Sequence, residues 1–223
     1  HSGTVSVATN QRLARKAFQV TARYDGAIAD YLSSVDGEGA TRKAFGDTLH
    51  LGYGKTQDLR YGENPHQSAA LYGDFSQVVT QLHGKELSYN NIVDINAALA
   101  LLVEFLDDAD AAVAILKHNT PCGVGTATDV NAAYQRAYAT DPESPFGGII
   151  VANKPWTLEL AHTVDEIFTE VLIAPDFTPE ALELLQRKKN RRLMRCHPDA
   201  LRALGPREMR SVLGGLLVQD ADR

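Results

Sequence analysis

The chain has 223 residues, 44% of them apolar, and a formal net charge of -6. These values are typical of a globular protein with a substantial core, and the acidic balance argues against nucleic acid or an acidic membrane surface as a partner, while a pocket can still hold a local anion site. Two cysteines without CxxC spacing, and the lack of an apolar run long enough for a membrane span, favour a reducing, cytoplasmic location.

The first predicted element is an amphipathic helix. Apolar residues recur at three- and four-residue intervals between Thr9 and Leu32, and Thr9 suits the N-cap position. The stretch that follows is small, polar and glycine-bearing, which is typical of a linker. We therefore expect a domain boundary between Ser33 and Gly54. Because the chain does not begin with Met and opens in a strand-like pattern, we also expect it to be a piece of a longer protein.

Beyond this boundary, short apolar strands alternate with helices. Strands are predicted over 68–73, 78–84, 111–118, 147–153, 170–175 and 191–196, and helices over 92–106, 129–139, 157–168 and 178–189. Asp129 or Thr128, and Thr178 with Pro179 after it, suit helix starts. This alternation predicts an α/β fold with a largely parallel sheet and helices on both faces, and ligands beyond the carboxyl ends of its strands.

Lys117 and His118 stand at one such predicted strand end. A histidine can transfer protons near neutral pH, and an adjacent lysine can stabilise developing negative charge. Asn119, Pro121, Gly123 and Gly125 follow, and they predict a tight turn whose backbone approaches a ligand closely. A polar strand end that simply meets solvent is the alternative for the Lys-His pair, and it stays open.

Three further motifs have two interpretations each. Residues 59–67 form a loop of hydrogen-bonding groups, in which Arg60 could hold a phosphate or carboxylate and Tyr61 could add a hydroxyl donor, unless the loop is only a solvated Asn-Pro turn. The glycines of 144–148 either let backbone approach a ligand or serve a plain turn. The basic residues 187–192 form either a basic patch or a solvated helix end, and the second is favoured because cations complement the dipole at a helix C-terminus.

Cys122 raises the possibility of zinc, because a Pro-Cys dipeptide occurs in the zinc deaminases of nucleobases. The second cysteine of that motif and its H-x-E partner are both absent from the sequence, so a zinc deaminase is disfavoured. Nothing in the sequence marks a base that would activate Cys122 as a nucleophile.

Six segments occur in an order that resembles a known family. They are LRYGENPHQSAALY, GKELSYNNIVDINAAL, ILKHNTPCGV, SPFGGIIVAN, EVLIAPDF and GGLLVQD, and together they resemble the bifunctional AICAR transformylase/IMP cyclohydrolase family in its bacterial form. The resemblance covers essentially the whole chain. It implies that residues 1–33 are the C-terminal end of a cyclohydrolase domain, 34–54 a linker, and 55–223 the N-terminal half of a transformylase domain. That domain is expected to have a cytidine-deaminase-like architecture, with a mixed, largely parallel sheet.

The resemblance also implies a reaction, in which a formyl group passes from 10-formyltetrahydrofolate to the 5-amino group of AICAR in purine biosynthesis, without a metal. In this family the histidine that His118 matches takes the amine proton, and the lysine that Lys117 matches stabilises the transition state. No cyclohydrolase activity is expected, because the family's residues for that reaction lie upstream of this chain.

The remaining implied site residues bind the nucleotide. The family's ligands match Arg60, Tyr61 and Gly147, and its carboxylate matches Glu170, where some members carry Asp. Intact members of the family are homodimers whose transformylase sites use both subunits. The alternative to an enzyme is therefore a binding or dimerisation fragment that does no chemistry by itself.

Overall fold

The computed structural model describes residues 3–35, 41–205 and 207–222 of the chain. The chain divides into two compact units, His1–Lys55 and Thr56–Arg223. Part of the predicted linker, residues 36–40, lies outside the described residues. The assignment of the units to a cyclohydrolase and a transformylase domain stays a prediction.

The first unit is built on one long helix, α1 (Val7–Ser34). Its N-cap is Ser6 rather than the predicted Thr9, and the Ser6 hydroxyl accepts a hydrogen bond from the Thr9 backbone N–H. Most of the apolar stripe that predicted the helix is exposed. The chain returns along α1, where the His50 backbone N–H and ring Nδ1 lie 2.8 and 2.7 Å from the two carboxylate oxygens of Asp30.

From Lys55 onward, short strands and helices alternate. The strands are β1 (Lys55–Leu59), β2 (Ala69–Tyr72), β3 (Val79–His83), β4 (Ala111–Lys117), β5 (Thr120–Ala127), β6 (Ile149–Ala152), β7 (Val171–Ala174), β8 (Arg192–Cys196), β9 (Arg207–Val212) and β10 (Gly215–Asp220). The helices are α2 (Tyr89–Val103), α3 (Val130–Thr140), α4 (Leu158–Asp165), α5 (Pro179–Gln186) and α6 (Pro198–Arg202).

Six strands form the central sheet, in the order β3-β8-β7-β6-β4-β5. Only the pairs β6–β7 and β7–β8 are parallel, and the other three pairs are antiparallel. The predicted α/β class with a mixed sheet is confirmed, but the prediction that most of the strand pairs are parallel is wrong. The physical reason is that β4 turns straight back into β5, and a hairpin connection makes its strands antiparallel. The likeness to cytidine deaminases stays a prediction.

Helices cover both faces of this sheet, as predicted. Helices α3, α4 and α5 pack on the face that carries Val113 and Ile115, and α2 and α6 pack on the face that carries Ala114 and Leu116. Successive side chains of a strand point to opposite faces, so both sides of β4 are buried. This is why the sequence of 111–116 is a continuous apolar run.

The two glycines of β5 serve the contact with α3. A Cβ atom on Gly123 would lie 2.0 Å from the carbonyl oxygen of Ala137, and one on Gly125 would lie 2.4 Å from that of Ala133. The predicted tight turn is present at Asn119, but Pro121, Gly123 and Gly125 lie in β5 and not in the turn, so the prediction is wrong for these three residues. The proline is accommodated because β5 is an edge strand of the sheet.

The predicted N-cap residues located the starts of two helices correctly. Asp129 caps α3, and Thr178 caps α5 with Pro179 in its first turn, as predicted. Strand β1 and the separate hairpin of β9 with β10 were not predicted. Among the helices of the described residues, none combines the length and the apolar character that a membrane crossing requires.

Candidate active site

A polar cleft of about 810 Å³ opens at the ends of the inner strands of the central sheet, and we call it the edge cleft. It lies at the carboxyl end of β4 but at the amino ends of β6, β7 and β8, because β4 runs antiparallel to β6. Its lining includes Tyr61, Asn91, Asp94, Lys117, His118, Gly147, Thr169, Glu170 and Arg192. The lining thus brings together segments that are far apart in the sequence.

The β4–β5 hairpin carries Lys117 and His118 into the edge cleft. Its turn consists of His118 and Asn119, both with left-handed backbone, at φ 51° and 64°. Two positive φ values match the twist of a two-residue hairpin, and asparagine tolerates them better than histidine does. His118 therefore carries most of the cost, about 1–2 kcal/mol relative to a right-handed conformation. The turn that presents His118 is therefore strained.

Asp94 of α2 is hydrogen-bonded to this turn. The Asn119 backbone N–H donates to Asp94 Oδ1 at 2.9 Å. Burial raises the pKa of Asp94, while the bond from Asn119 and the nearby charge of His118 lower it, and burial has the larger effect. Asp94 also lines the edge cleft. Sequence reasoning missed this residue, because nothing in the pattern of an apolar helix marks which polar position faces the hairpin.

The start of α2 orients a second polar group, Asn91. The Ser88 hydroxyl accepts the Asn91 backbone N–H at 3.2 Å, and Asn91 Oδ1 accepts the Ser88 backbone N–H at 3.1 Å, which completes a capping box. Because Oδ1 is used in the cap, Nδ2 points away and donates to Glu170 Oε2 at 3.2 Å. The predictions did not include Asn91, although the Ser-x-x-Asn spacing was available as a capping signal.

Glu170 lies between an amide and a cation. Besides Asn91, its Oε2 is 3.9 Å from Arg192 Nη1. Arg192 is mostly buried, and its Nη2 also donates to the Glu86 carbonyl at 3.1 Å. Burial lowers the pKa of Arg192, and Glu170 opposes that shift. The carboxylate is thus held in place while it keeps 42% of its side-chain surface exposed, so it is available to a ligand.

Of the predicted Arg-Tyr pair, only Tyr61 lines the edge cleft. The Arg60 guanidinium carbon lies 5.6 Å from the centre of the Tyr61 ring, a cation–π distance. The loop that follows closes on itself, since the Gly62 backbone N–H donates to the Gln67 carbonyl at 2.8 Å. The structure therefore places Arg60 beside the cleft lining rather than in it.

Gly147 takes part in the lining through its backbone. Its φ is 75°, and its N–H donates to the Phe168 carbonyl at 2.8 Å. A Cβ at this position would lie 3.7 Å from the Phe168 ring, an ordinary contact, so the left-handed conformation rather than lack of space explains the glycine. The structure thus has five of the six predicted site residues in one cleft, with Arg60 outside its lining.

The other predicted chemistry concerned Cys122 and zinc. Burial raises the pKa of the Cys122 thiol, as does the charge of Asp141, so the thiol has little nucleophilic character. Among the residues that the structure describes, no three His, Cys, Asp or Glu side chains come close enough together to hold a metal ion. The Thr169 hydroxyl, at the buried edge of the cleft, has no hydrogen-bond partner among the described residues.

The fold and the cleft define an α/β protein with a polar site, of a volume typical of small-molecule sites, at one end of its central strands. The sequence match makes this class specific. Residues 1–223 match the AICARFT/IMPCHase bienzyme family over their whole length, and the chain belongs to that family.

Individual relatives agree with this assignment. The chain is 52% identical over 221 residues to the bifunctional purine biosynthesis protein PurH of Chloroflexus aurantiacus, covering 99% of this chain and 41% of the relative. It is 47% identical to PurH of Bacillus cereus and 44% identical to PurH of Chlorobium phaeobacteroides, covering 43% of each. The chain thus spans less than half the length of these relatives.

Proposed function

We propose that the edge cleft binds the nucleotide AICAR, and that the chain carries the catalytic pair of a formyltransferase of purine biosynthesis that uses 10-formyltetrahydrofolate. The relatives' name, bifunctional purine biosynthesis protein, supports the pathway. The observation that carries the proposal is the meeting of Lys117 and His118 with Tyr61, Gly147 and Glu170 in one cleft. These residues come from four separate segments of the chain.

The proposed binding mode follows from the chemistry of the lining. The Glu170 carboxylate, oriented by Asn91, can accept hydrogen bonds from ribose hydroxyls, and the Tyr61 hydroxyl can donate to an anionic group. Arg60 lies next to Tyr61, so its guanidinium would leave the tyrosine ring to pair with a phosphate at the cleft rim. The net contribution of Arg60 to the binding free energy is therefore reduced by the loss of its contact with the Tyr61 ring.

The proposed reaction is an acyl transfer between two nitrogens. The 5-amino nitrogen attacks the formyl carbon, a new C–N bond forms, and the carbonyl electron pair moves to oxygen. His118 accepts the amine proton as the bond forms, and the Lys117 ammonium stabilises the negative oxygen. Collapse of the intermediate breaks the bond to N10 of the folate, and N10 takes up a proton from His118. The step needs a base and a cation, and both are in the edge cleft.

The base matters because the substrate is a poor nucleophile. The lone pair of this aryl amine is delocalised into an imidazole and its carboxamide, so attack without proton removal leaves a costly positive charge on nitrogen. General base catalysis typically contributes about 10²–10⁴-fold in rate. His118 is exposed at the hairpin tip and so is accessible to a bound substrate.

The rate test uses the full-length protein that contains this chain. His118→Ala should lower kcat by roughly 10²-fold or more with nucleotide affinity nearly unchanged, because proton transfer is needed mainly in the transition state. His162→Ala removes an exposed histidine of α4 outside the cleft and should leave kcat unchanged. A rise in KM at constant kcat for His118→Ala would make the residue a binding contact and refute its role as the base.

The binding test uses calorimetry with AICAR. Arg60→Ala should weaken binding by roughly ten- to a hundredfold, since hydrogen bonds to charged groups are worth about 1.5–3 kcal/mol. Arg195→Ala, at an exposed position of β8 outside the cleft lining, is the matched control. Equal affinities of wild type and Arg60→Ala would remove Arg60 from the site.

A second candidate function is binding or dimerisation without turnover by this chain alone. It is favoured by one fact, namely that the relatives are more than twice as long as the part that the chain matches. Formyl transfer measured on the 223-residue chain separates the two candidates. Turnover by the chain itself would exclude the second, whereas AICAR binding without turnover, combined with an active full-length protein, would support it.

A further inference from the structure

We propose that Asp94 is a positioning residue for His118: its carboxylate holds the left-handed turn of the β4–β5 hairpin in the conformation that presents His118 to the edge cleft. The inference rests on the proposed role of His118 as the base. It assigns a task to a carboxylate that the proposed chemistry leaves unused.

The geometry shows why the turn needs a tether. His118 and Asn119 are consecutive residues with positive φ, and they are the only two such non-glycine residues among the described parts of the chain. Strained backbone of this kind persists only where its surroundings hold it. Strand pairing holds the turn on one side, through the pair Lys117 and Thr120. The turn itself projects beyond the sheet, where both of its residues are exposed.

Asp94 supplies the holding contact from a different element. Its Oδ1 accepts the Asn119 backbone N–H at 2.9 Å, so a rigid helix fixes the residue directly after His118. Asp94 belongs to the middle of α2, whose neighbouring residues Ile95, Ala98 and Leu99 are buried in the core. The carboxylate therefore has a defined position on α2, and the hydrogen bond fixes the turn relative to that helix.

The carboxylate is better suited to this task than a neutral side chain of equal reach. A charged acceptor makes a stronger hydrogen bond to a backbone N–H than a neutral one does. The nearby charge of His118 also lowers the pKa of Asp94, although burial has the larger effect. Of these two interactions of Asp94, the hydrogen bond has the larger effect on the turn, since it constrains the backbone and the electrostatic interaction does not.

The experiment compares Asp94→Ala and Asp94→Asn in the full-length protein. Asp94→Ala should lower kcat for formyl transfer by roughly ten- to a hundredfold, because the base is no longer held in its reactive position. The KM for AICAR should change by less than about threefold, because the residues that bind the nucleotide remain in place. Asp94→Asn keeps an oxygen that can accept the Asn119 N–H, and it should recover most of the lost rate. Asn96→Ala, at an exposed position of the same helix outside the edge cleft, should resemble the wild type.

A second readout measures the tether directly. Hydrogen exchange followed by mass spectrometry on peptides spanning 114–124 should be faster at the hairpin tip in Asp94→Ala, by roughly tenfold or more, and near the wild-type rate in Asp94→Asn. The double variant His118→Ala/Asp94→Ala should lose little more rate than His118→Ala alone, since residues that act as one unit are not additive. A structural defect elsewhere in α2 would not produce this pattern.

The outcomes separate this inference from the function on which it rests. If His118→Ala keeps its rate, the proposed function itself fails. If His118→Ala loses rate while Asp94→Ala keeps it, only the positioning role is overturned. The role is equally overturned if Asp94→Asn is as slow as Asp94→Ala, if KM rises instead of kcat falling, or if exchange at the hairpin tip is unchanged in Asp94→Ala.

Discussion

Gly125 offers a sharp test of how the hairpin is held against α3. A methyl group at this position would lie 2.4 Å from the Ala133 carbonyl oxygen and 2.6 Å from the Ala137 backbone nitrogen. Both are backbone atoms of a helix, so no side-chain rotation can relieve the contact, and α3 or β5 must move. Forcing extra carbon into a packed core costs about 1–3 kcal/mol. We expect roughly 2–3 kcal/mol for Gly125→Ala, because backbone is the part that yields least.

An opposing effect has to be subtracted. Replacing glycine by alanine restricts the unfolded chain and stabilises the folded state by about 0.4–1 kcal/mol where the native conformation permits it. The expected net loss for Gly125→Ala is therefore about 1–2.5 kcal/mol. For a unit of this size that loss lowers Tm by roughly 2–10 °C. The steric cost exceeds the entropic gain.

Thermal unfolding, monitored by circular dichroism, measures this difference. Gly54→Ala is the control, because a Cβ at Gly54 meets nothing within 4 Å and its φ lies outside the left-handed region. That variant should be as stable as the wild type or slightly more stable. If Gly125→Ala instead matched Gly54→Ala in Tm, the close approach of α3 to β5 would be wrong, and the steric requirement for glycine at position 125 would be wrong with it.

Two further predictions concern the polar groups around the sheet. Burial raises the pKa of Asp165, but hydrogen bonds from Arg191 and Lys188 outweigh burial and hold the pKa below its usual value. The carboxylate therefore stabilises the folded state fully above the unfolded pKa of about 3.9, and this stabilisation is lost as the pH falls through the pKa of the folded state. Asp165→Asn should accordingly lose about 1.5–3 kcal/mol near neutral pH in urea unfolding, the usual contribution of hydrogen bonds to charged groups. A difference from wild type that did not shrink towards pH 3 would contradict the ion pair. Ser88→Ala should cost about 1 kcal/mol of stability as a lost N-cap and should also weaken AICAR binding, because it frees Asn91, the hydrogen-bond donor to Glu170. Unchanged binding in calorimetry would show that the orientation of Asn91 does not matter to the ligand.

The sequence predicted those elements whose signals are local. Periodicity located helices α2 to α5 and strands β4, β6, β7 and β8, and capping residues located the starts of α3 and α5. Strand β5 was missed because Pro121, Gly123 and Gly125 are turn residues by any local rule. Their presence is explained by the edge of a sheet and by an overlying helix, and neither of these neighbours is visible in a single sequence.

The burial of the Arg191 guanidinium could not be predicted from the sequence either. The basic run 187–192 was predicted to be a solvated helix end, but Arg191 is 2% exposed and its Nη1 lies 2.7 Å from Asp165 Oδ1. That prediction is wrong for Arg191, because the partner that permits its burial is 26 residues away in the chain. It is also wrong for Arg192, which begins β8, is mostly buried and lines the edge cleft. Asp94 and Asn91 were missed from the site for the same reason, since the hairpin and Glu170 that give them their roles lie on other elements.

The topology and the site constrain one another. Lys117 ends β4, whereas Gly147 and Glu170 precede β6 and β7, so these residues share one edge of the sheet only because β4 runs antiparallel to β6. If β4 instead ran parallel to β6, the carboxyl end of β4 would lie at the opposite end of the strands. With four residues in β6 and about 3.3 Å of rise per residue, Lys117 would then be displaced by roughly 13 Å along the strand direction. A sheet with β4 parallel to β6 would therefore separate Lys117 and His118 from Gly147 and Glu170, and the hairpin that makes β4 antiparallel brings these residues to one cleft.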